Sequence, residues 1–522
     1  MPELDKKDYS LDAHGKHFHR GIMFVMILIG TFAGMLGQTF LSTAYPTLMD
    51  KFNISLSTAQ GATTWYLLAN GIMVPVSAYL TTKIPTRWLF MIAYGFTAIG
   101  TGIAMSAPTS NYNIFLLGRV VMAMGAGISL PLMMTVITNI FPPDKIGVPM
   151  GMGGLVIGLA PAIGPTYGGA ILSGHSKFLG ILQLGDWRTM FTVPFVILVI
   201  VTILTPILMA DVLPNRDMKL DILSLLESLA GFGLFLFGFT NVGNDGWGDF
   251  KNVILPIIVG LIIIAFFIFR QLHLKDPFLD LSVFKVRQFT VATIAAAINT
   301  MAMMGVEMML PTYIQNVHGL TALQSGLLLL PGSIMMALMS PIAGQIYDKF
   351  GARKLTLIGF ILLSIGTLPY MFLTANTPEA FITITYWVRF VAIGLIMMPL
   401  ITSGMNALPR DKAAQGSASN NTARMIASSV VVAILASVTT NVINASKPAS
   451  HLQTTNPLQY AEKMINASLN GFHVSFGIAF GFSVLGIFVA LFLHKGKAGP
   501  QPVRERNEAK AKQEAAQGGD AA

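Results

Sequence analysis

The chain has 522 residues, 53% hydrophobic and only 11% charged, where a soluble protein carries about a quarter charged residues. That composition excludes a water-soluble globular enzyme and points to an all-α polytopic membrane protein. There is no cysteine, so neither a disulfide nor a thiolate metal site is available. The net charge of +9 could suggest nucleic acid as a partner, but the basic residues are distributed as a membrane-topology signal, and no nucleic acid is expected.

Residues 1–20 are polar and include Lys6, Lys7, Lys16 and Arg20. They lack the apolar core and small-residue cleavage site of a signal peptide, so the first apolar run is expected to stay as a spanning helix. Fourteen apolar runs are long enough to cross ~30 Å of hydrocarbon. They fall at about 21–44, 61–81, 88–107, 113–138, 147–172, 190–209, 223–242, 253–272, 290–314, 324–346, 355–374, 380–403, 418–442 and 472–494, and are called segments 1 to 14 in that order. An even number puts both termini on one side. With the termini cytoplasmic, the even-numbered connections and the two tails hold most of the 33 Lys and Arg, as the positive-inside rule requires.

Between segments 13 and 14, Leu458, Ala461, Ile465, Leu469 and Phe472 recur at helical spacing and predict a short surface helix. The tail, 495–522, mixes Lys, Arg, Glu, Ala and Gln and is expected to be solvated and disordered, its basic residues within reach of anionic lipid.

Segment 5 contains Gly158-Leu159-Ala160-Pro161-Ala162-Ile163-Gly164-Pro165-Thr166-Tyr167-Gly168-Gly169. Gly154, Gly158, Pro161, Pro165 and Gly168 recur at steps of three and four and share one helix face. Nearly free of side chains, that face allows close approach of another helix and marks a place where the helix can bend. Close packing alone would also produce such a stripe.

The chain also repeats itself. Ser77 to Arg87 precedes a segment ending near Ile99-Gly100-Thr101, and Ala343 to Arg353 precedes one ending near Ile365-Gly366-Thr367. Arg119 with Pro131-Leu132 downstream is echoed by Arg389 with Pro399-Leu400. Segments 1–6 and 9–14 thus read as two copies of a six-helix unit, with segments 7 and 8 inserted. The expected divisions are 21–209, 210–289 and 290–494, flanked by the two tails. Two such halves around a midplane site are the architecture of an alternating-access transporter.

These residues resemble the major facilitator superfamily and, within it, the fourteen-helix drug:proton antiporters, over about 20–494. Gly158, Gly164, Pro165, Gly168 and Gly169 match the antiporter motif of the fifth helix. Gly344, Asp348, Gly351 and Arg353 match the loop motif between the second and third helices of a repeat, and Lys83 and Arg87 stand in its first-half copy. Arg119 with Gly125, Trp187-Arg188, and Pro277-Phe278-Leu279-Asp280-Leu281 with Phe284 match further family features. The resemblance implies a proton-driven drug exporter with no cofactor, working as a monomer in a bacterial plasma membrane with both termini cytoplasmic.

The departures are informative. The family carries an acid in the first helix; here Leu36 to Pro46 contains no carboxylate, which excludes a proton carrier there and leaves Gln38 to hydrogen-bond a substrate. Thr82 and Pro85 replace the Asp and Gly of the first loop motif, and Met122-Ala123 replaces the Gln-Gly after Arg119. This degenerate first half is similar to the branch that includes lincomycin-type resistance exporters.

A charge at mid-bilayer costs ~2.5–3.5 kcal/mol or more and marks a functional site by default. Glu307 in segment 9 is the clearest case, with Asn299 and Met303 on its face at four-residue spacing. It is the expected proton site, unless it is a permanently paired brace. Arg119 is a second coupling candidate, able to tune a neighbour although not itself to deprotonate, or else a brace. Arg389 and Glu227 read as structural. Lys83, Arg87, Gly344, Asp348, Gly351 and Arg353 read as a cytoplasmic gate latch.

Gln38, Ser42, Trp65, Tyr66, Asn70, Asn299 and Met303 are the expected substrate-cavity residues. A broad apolar cavity with sparse polar groups suits small amphipathic compounds, cationic ones among them. No phosphate-binding loop, zinc-spaced cluster or nucleophile elbow is present in the sequence, so the expected energy source is an ion gradient. One charge across 100 mV is worth ~2.3 kcal/mol. Two other readings stay open: a transporter of a physiological solute or peptide on the same fold, and an uncoupled membrane sensor or accessory protein.

Overall fold

The computed structural model describes residues 12, 15–141, 147–174, 177–178, 182–213, 221–274, 277, 279–408, 412–449 and 451–493. The expectations for most of the N-terminal segment and for the tail lie outside these residues. The described helices, in order, are α1 (Arg20–Thr39), α2 (Tyr45–Phe52), α3 (Leu56–Lys83), α4 (Thr86–Ser106), α5 (Tyr112–Ile140), α6 (Gly147–Ser173), α7 (Thr189–Leu208) and α8 (Ile222–Asp245). They continue with α9 (Leu255–His273), α10 (Arg287–Asn316), α11 (Ala322–Phe350), α12 (Ala352–Thr367), α13 (Glu379–Asn406), α14 (Ala413–Ala445), α15 (His451–Thr455) and α16 (Pro457–Ala490).

Twelve described helices are long and apolar enough to cross a membrane, and α3 and α6 are of comparable length at 28 and 27 residues. The protein is thus an all-α polytopic membrane protein. A short antiparallel pair, Lys177–Phe178 with Leu182–Gln183, lies between α6 and α7.

Local chemistry explains where the helices begin and turn. Ser55, Asn111, Asp221 and Asn456 cap α3, α5, α8 and α16 by accepting from backbone N–H groups of the first turn. Thr321 and Gln324 form a reciprocal capping box at α11. Gly351 joins α11 to α12 at φ +76°, a conformation that disfavours any residue with a Cβ. Prolines lie inside α3 (Pro75), α5 (Pro131), α10 (Pro311) and α13 (Pro399). Neighbouring helices and local adjustments can satisfy the freed carbonyls, so such prolines persist in spanning helices.

Two details differ from the segment pattern. Segment 1 is not one helix: α1 ends at Thr39, a 3-10 turn covers Phe40–Thr43, and α2 follows. The expected surface helix after α14 is continuous with the last span in a single 34-residue helix. No proline interrupts Leu458 to Ala490, so nothing breaks the ladder where the chain enters the apolar region.

The helices pack in two groups. In one, α4 lies on α5 and α7, and α1 lies on α6 and α7; in the other, α12 lies on α13 and α16, and α10 lies on α13, α14 and α16. The groups meet along two seams, α6 against α11 and α3 against α14. Helices α8 and α9 pack on each other, with α8 also against α3 and α14. A cavity of about 170 Å³ remains where they meet, lined by Ile72, Phe232, Phe267, Phe284, Thr422 and Ile426.

Candidate functional site

Helix α6 is held where its small residues predict close approach. Thr39 donates to Ala160 O (3.1 Å) and Thr43 to Pro165 O (3.3 Å), so the end of α1 lies flat on α6. On its other side Thr166 donates to Gly326 O of α11 (3.1 Å). A Cβ at Gly164 would collide with Thr39, at Gly168 with the Phe40 carbonyl, and at Gly169 with the Ala322 carbonyl. These glycines permit the α1–α6–α11 contact: a larger residue at Gly164 or Gly168 would push α6 off the end of α1, and one at Gly169 would push it off α11.

The two buried arginines are built alike. Arg119 on α5 donates from Nη1 to Gly37 O of α1 (2.5 Å), and its guanidinium lies 4.4 Å from the centre of the Tyr66 ring. Arg389 on α13 donates from Nη2 to Ala302 O of α10 (2.8 Å) and from Nε to Thr367 Oγ1 (2.9 Å), with the Tyr370 ring at 5.7 Å. Both are fully buried. Each keeps guanidinium nitrogens without a hydrogen-bond partner: Nε and Nη2 of Arg119, and Nη1 of Arg389.

Glu307 stands five residues beyond the carbonyl that Arg389 holds. It is 2% exposed, and its Oε2 is buried without a hydrogen-bond partner. Arg389 acts on it electrostatically, but the two form no ion pair. The residues just after it are gripped from the first group. Tyr45 Oη shares a 2.6 Å hydrogen bond with Thr63 and donates to Met308 Sδ (3.2 Å), while Gln60 Nε2 donates to Met308 O (3.3 Å). Nearby, Gln315 Nε2 donates to Thr43 O (3.0 Å). Tyr45 lies within electrostatic reach of both Arg119 and Glu307. Sequence reading did not single out Tyr45, Gln60 or Gln315; the available signal was a polar side chain within or beside an apolar run.

The expected cavity residues differ in their surroundings. Tyr66 is buried beneath Arg119 and donates to Gly34 O (3.3 Å), and Ser42 is buried and donates to Thr39 O (3.0 Å). Gln38 is half-buried. Trp65 packs beside Leu68, Ile72, Phe232 and Leu236, against α8. Asn70, Asn299 and Met303 are buried, and Asn299 keeps an unpartnered Oδ1.

Among the expected gate residues, Arg87 pairs with Asp211 (2.9 Å) inside its own group. Gly344 has open space around it, and Arg353 lies half-buried in the first turn of α12. Lys83 is exposed and ends α3. The Asp348 side chain and the surroundings of Gly158 lie outside the description. In the connection to α10, Asp280 accepts from Ser282 N (2.8 Å) and pairs with Lys412 at 3.4 Å. Burial pushes this carboxyl up, but its hydrogen bonds to Ser282 and the Lys412 charge outweigh that and hold it below the usual carboxylate range.

Two groups of spanning helices, joined along two seams and with a buried carboxylate near their contact, define a polytopic transporter rather than a catalytic enzyme. Residues 27–432 match the Major Facilitator Superfamily, and the chain belongs to it. It is 39% identical over 491 residues to the uncharacterized MFS-type transporter YcnB of Bacillus subtilis, covering 94% of this chain and 98% of the relative. It is 35% identical over 470 residues to the lincomycin resistance protein LmrB of Listeria innocua, covering 90% and 96%. Among solved structures, a bacterial homolog of the human lysosomal transporter Spinster, inward-facing and occupied, matches with a TM-score of 0.63 at 14% identity, covering 92% of this chain and 97% of that one. These relatives support a multi-pass bacterial plasma-membrane protein and a secondary-active, alternating-access fold.

Proposed function

We propose that the protein is a proton-coupled exporter of small amphipathic drug-like compounds, built from fourteen crossings. Helices α1 and α3–α7 form one six-helix repeat, α10–α14 and α16 the other, and α8 and α9 the insertion, with both termini cytoplasmic. Similarity to the lincomycin resistance protein supports the drug class of substrate. The observation that carries the coupling is Glu307: a buried carboxylate whose Oε2 has no hydrogen-bond partner, on the helix that the other group grips. Such a group is costly to keep charged in place. Binding and releasing a proton there would change the stability of the grip, and so bias the two arrangements that alternating access requires. Gly169 of α6 and Gly326 of α11 support a close seam between these two helices.

Drug-dependent proton release from acid-loaded inverted vesicles tests this. Acid-loaded wild-type vesicles are expected to release protons when drug is added, and Glu307→Gln vesicles are not. Wild-type flux in the variant would overturn the proposal.

A further inference from the structure

Among the described residues of the two helix groups, three arginines and one glutamate lie inside the spans: Arg119, Arg389, Arg424 and Glu307. Two of the arginines each hold a backbone carbonyl and lie over a tyrosine ring, although Nε and Nη2 of Arg119 and Nη1 of Arg389 stay without a partner. Among the described residues, Arg424 on α14 does neither. Its Nε reaches Thr300 Oγ1 only at 3.4 Å, and that hydroxyl already donates to Ala296 O. Its Nη2 reaches the Met397 sulfur at 3.8 Å. Among the described residues Nη1 has no hydrogen bond, no carboxylate pairs with the guanidinium, and no charged side chain acts on it. Arg119 and Arg389 are fully buried, whereas Arg424 is half-buried, so part of its surface stays open.

An arginine is a permanent cation. In the middle of a spanning helix it is expected to have a partner, and an intramembrane ionisable group without one marks a ligand site. We infer that Arg424 anchors an anionic group on the transported compound, so that lipophilic organic acids such as aryl carboxylates or sulfonates are substrates. The inference rests on the exporter reading and names the substrate class of that site. The planar guanidinium matches such an anion with two parallel N–H donors, giving a short, charge-assisted contact.

The surroundings fit. Thr293, Thr300 and Glu307 recur every seven residues on α10 and share a face. Asn420 and Arg424 are one turn apart on α14 and meet the first two of them, Asn420 donating to Thr293 Oγ1 at 3.1 Å. Arg424 therefore stands one layer from Glu307, roughly 10 Å along the axis at 1.5 Å per residue. A substrate anion and the coupling proton would occupy adjacent layers without sharing a group. The three arginines against one carboxylate also make this interior a poor place for a cation.

The test is transport by the full chain in proteoliposomes under an imposed proton gradient, with carboxyfluorescein as the anionic probe and ethidium as the cationic one. Arg424→Gln is expected to cut carboxyfluorescein transport by about tenfold, the worth of one charge-assisted contact, and to leave ethidium transport unreduced. Arg424→Lys, which keeps the charge and loses the fork, is expected to fall between. Equal loss of both probes in Arg424→Gln, or no loss of either, overturns the assignment. A wild-type chain that moves ethidium but not carboxyfluorescein overturns it while leaving the exporter reading standing. A wild-type chain that moves neither probe, and no other drug, overturns both.

Discussion

Arg119 and Arg389 occupy matching places in the two helix groups. Each crosses to a backbone carbonyl of the first helix of its group, Gly37 O or Ala302 O, and each lies over a tyrosine. Five residues past the Arg-held carbonyl, the first group has Ser42 and the second has Glu307. Ser42, in the turn after α1, donates back to Thr39 O, whereas the Glu307 Oε2 accepts from nothing. The bracing arginine is common to both groups and needs no carboxylate to explain it. What sets the groups apart is the acid, and it belongs to the group that the first group holds through Tyr45 and Gln60.

Removing each arginine in turn breaks this comparison or sharpens it. Arg119→Ala and Arg389→Ala both strip a buried cation from its carbonyl, and a hydrogen bond to a charged group is worth about 1.5–3 kcal/mol. Both are expected to lower the unfolding temperature of the purified protein. Only Arg389→Ala is also expected to shift the pH dependence of drug-driven proton release, because of the two only Arg389 acts on Glu307. Equal shifts in both variants would erase the distinction.

A smaller effect is expected at the grip. Tyr45→Phe and Gln60→Leu each remove the hydrogen bond to Met308, worth about 1 kcal/mol, roughly a fivefold change in a two-state equilibrium. The natural chain has no cysteine, so a single cysteine placed at the buried Ser42 reports opening. Its alkylation from the side opposite the termini should be several-fold faster in either variant.

The smallest effect is expected at Asp280. Its folded pKa is depressed, so its contribution is present above the ordinary carboxylate pKa of about 4 and is lost as pH falls through the folded value. Lys412 is partly exposed, so the pair is worth at most about 1 kcal/mol. Asp280→Asn should flatten the acid limb of a thermal-stability profile and leave neutral-pH transport unchanged.

Much of the fold was legible because lipid imposes length and apolarity on each span. Segment 9, read as 290–314, lies within α10 (Arg287–Asn316), and segment 12, read as 380–403, lies within α13 (Glu379–Asn406). Glu307 was legible for the same reason, since a carboxylate stands out in an apolar run. The bend after Thr39 was not, because Phe40 to Thr43 suits a helix as well as a 3-10 turn. Contacts across the two groups were hidden as well. Tyr45 and Met308 are 263 positions apart, and no local periodicity links them. Arg424 was visible as a charge, but only the distances around it show that it lacks an anion.

The central claim is that Glu307 couples protons to a movement that the rest of the protein can make without it. Drug counterflow and proton-driven drug accumulation, measured side by side in Glu307→Gln proteoliposomes, separate these most directly. Counterflow near the wild-type rate with no accumulation against the gradient is the expected result. Accumulation at the wild-type level would contradict it.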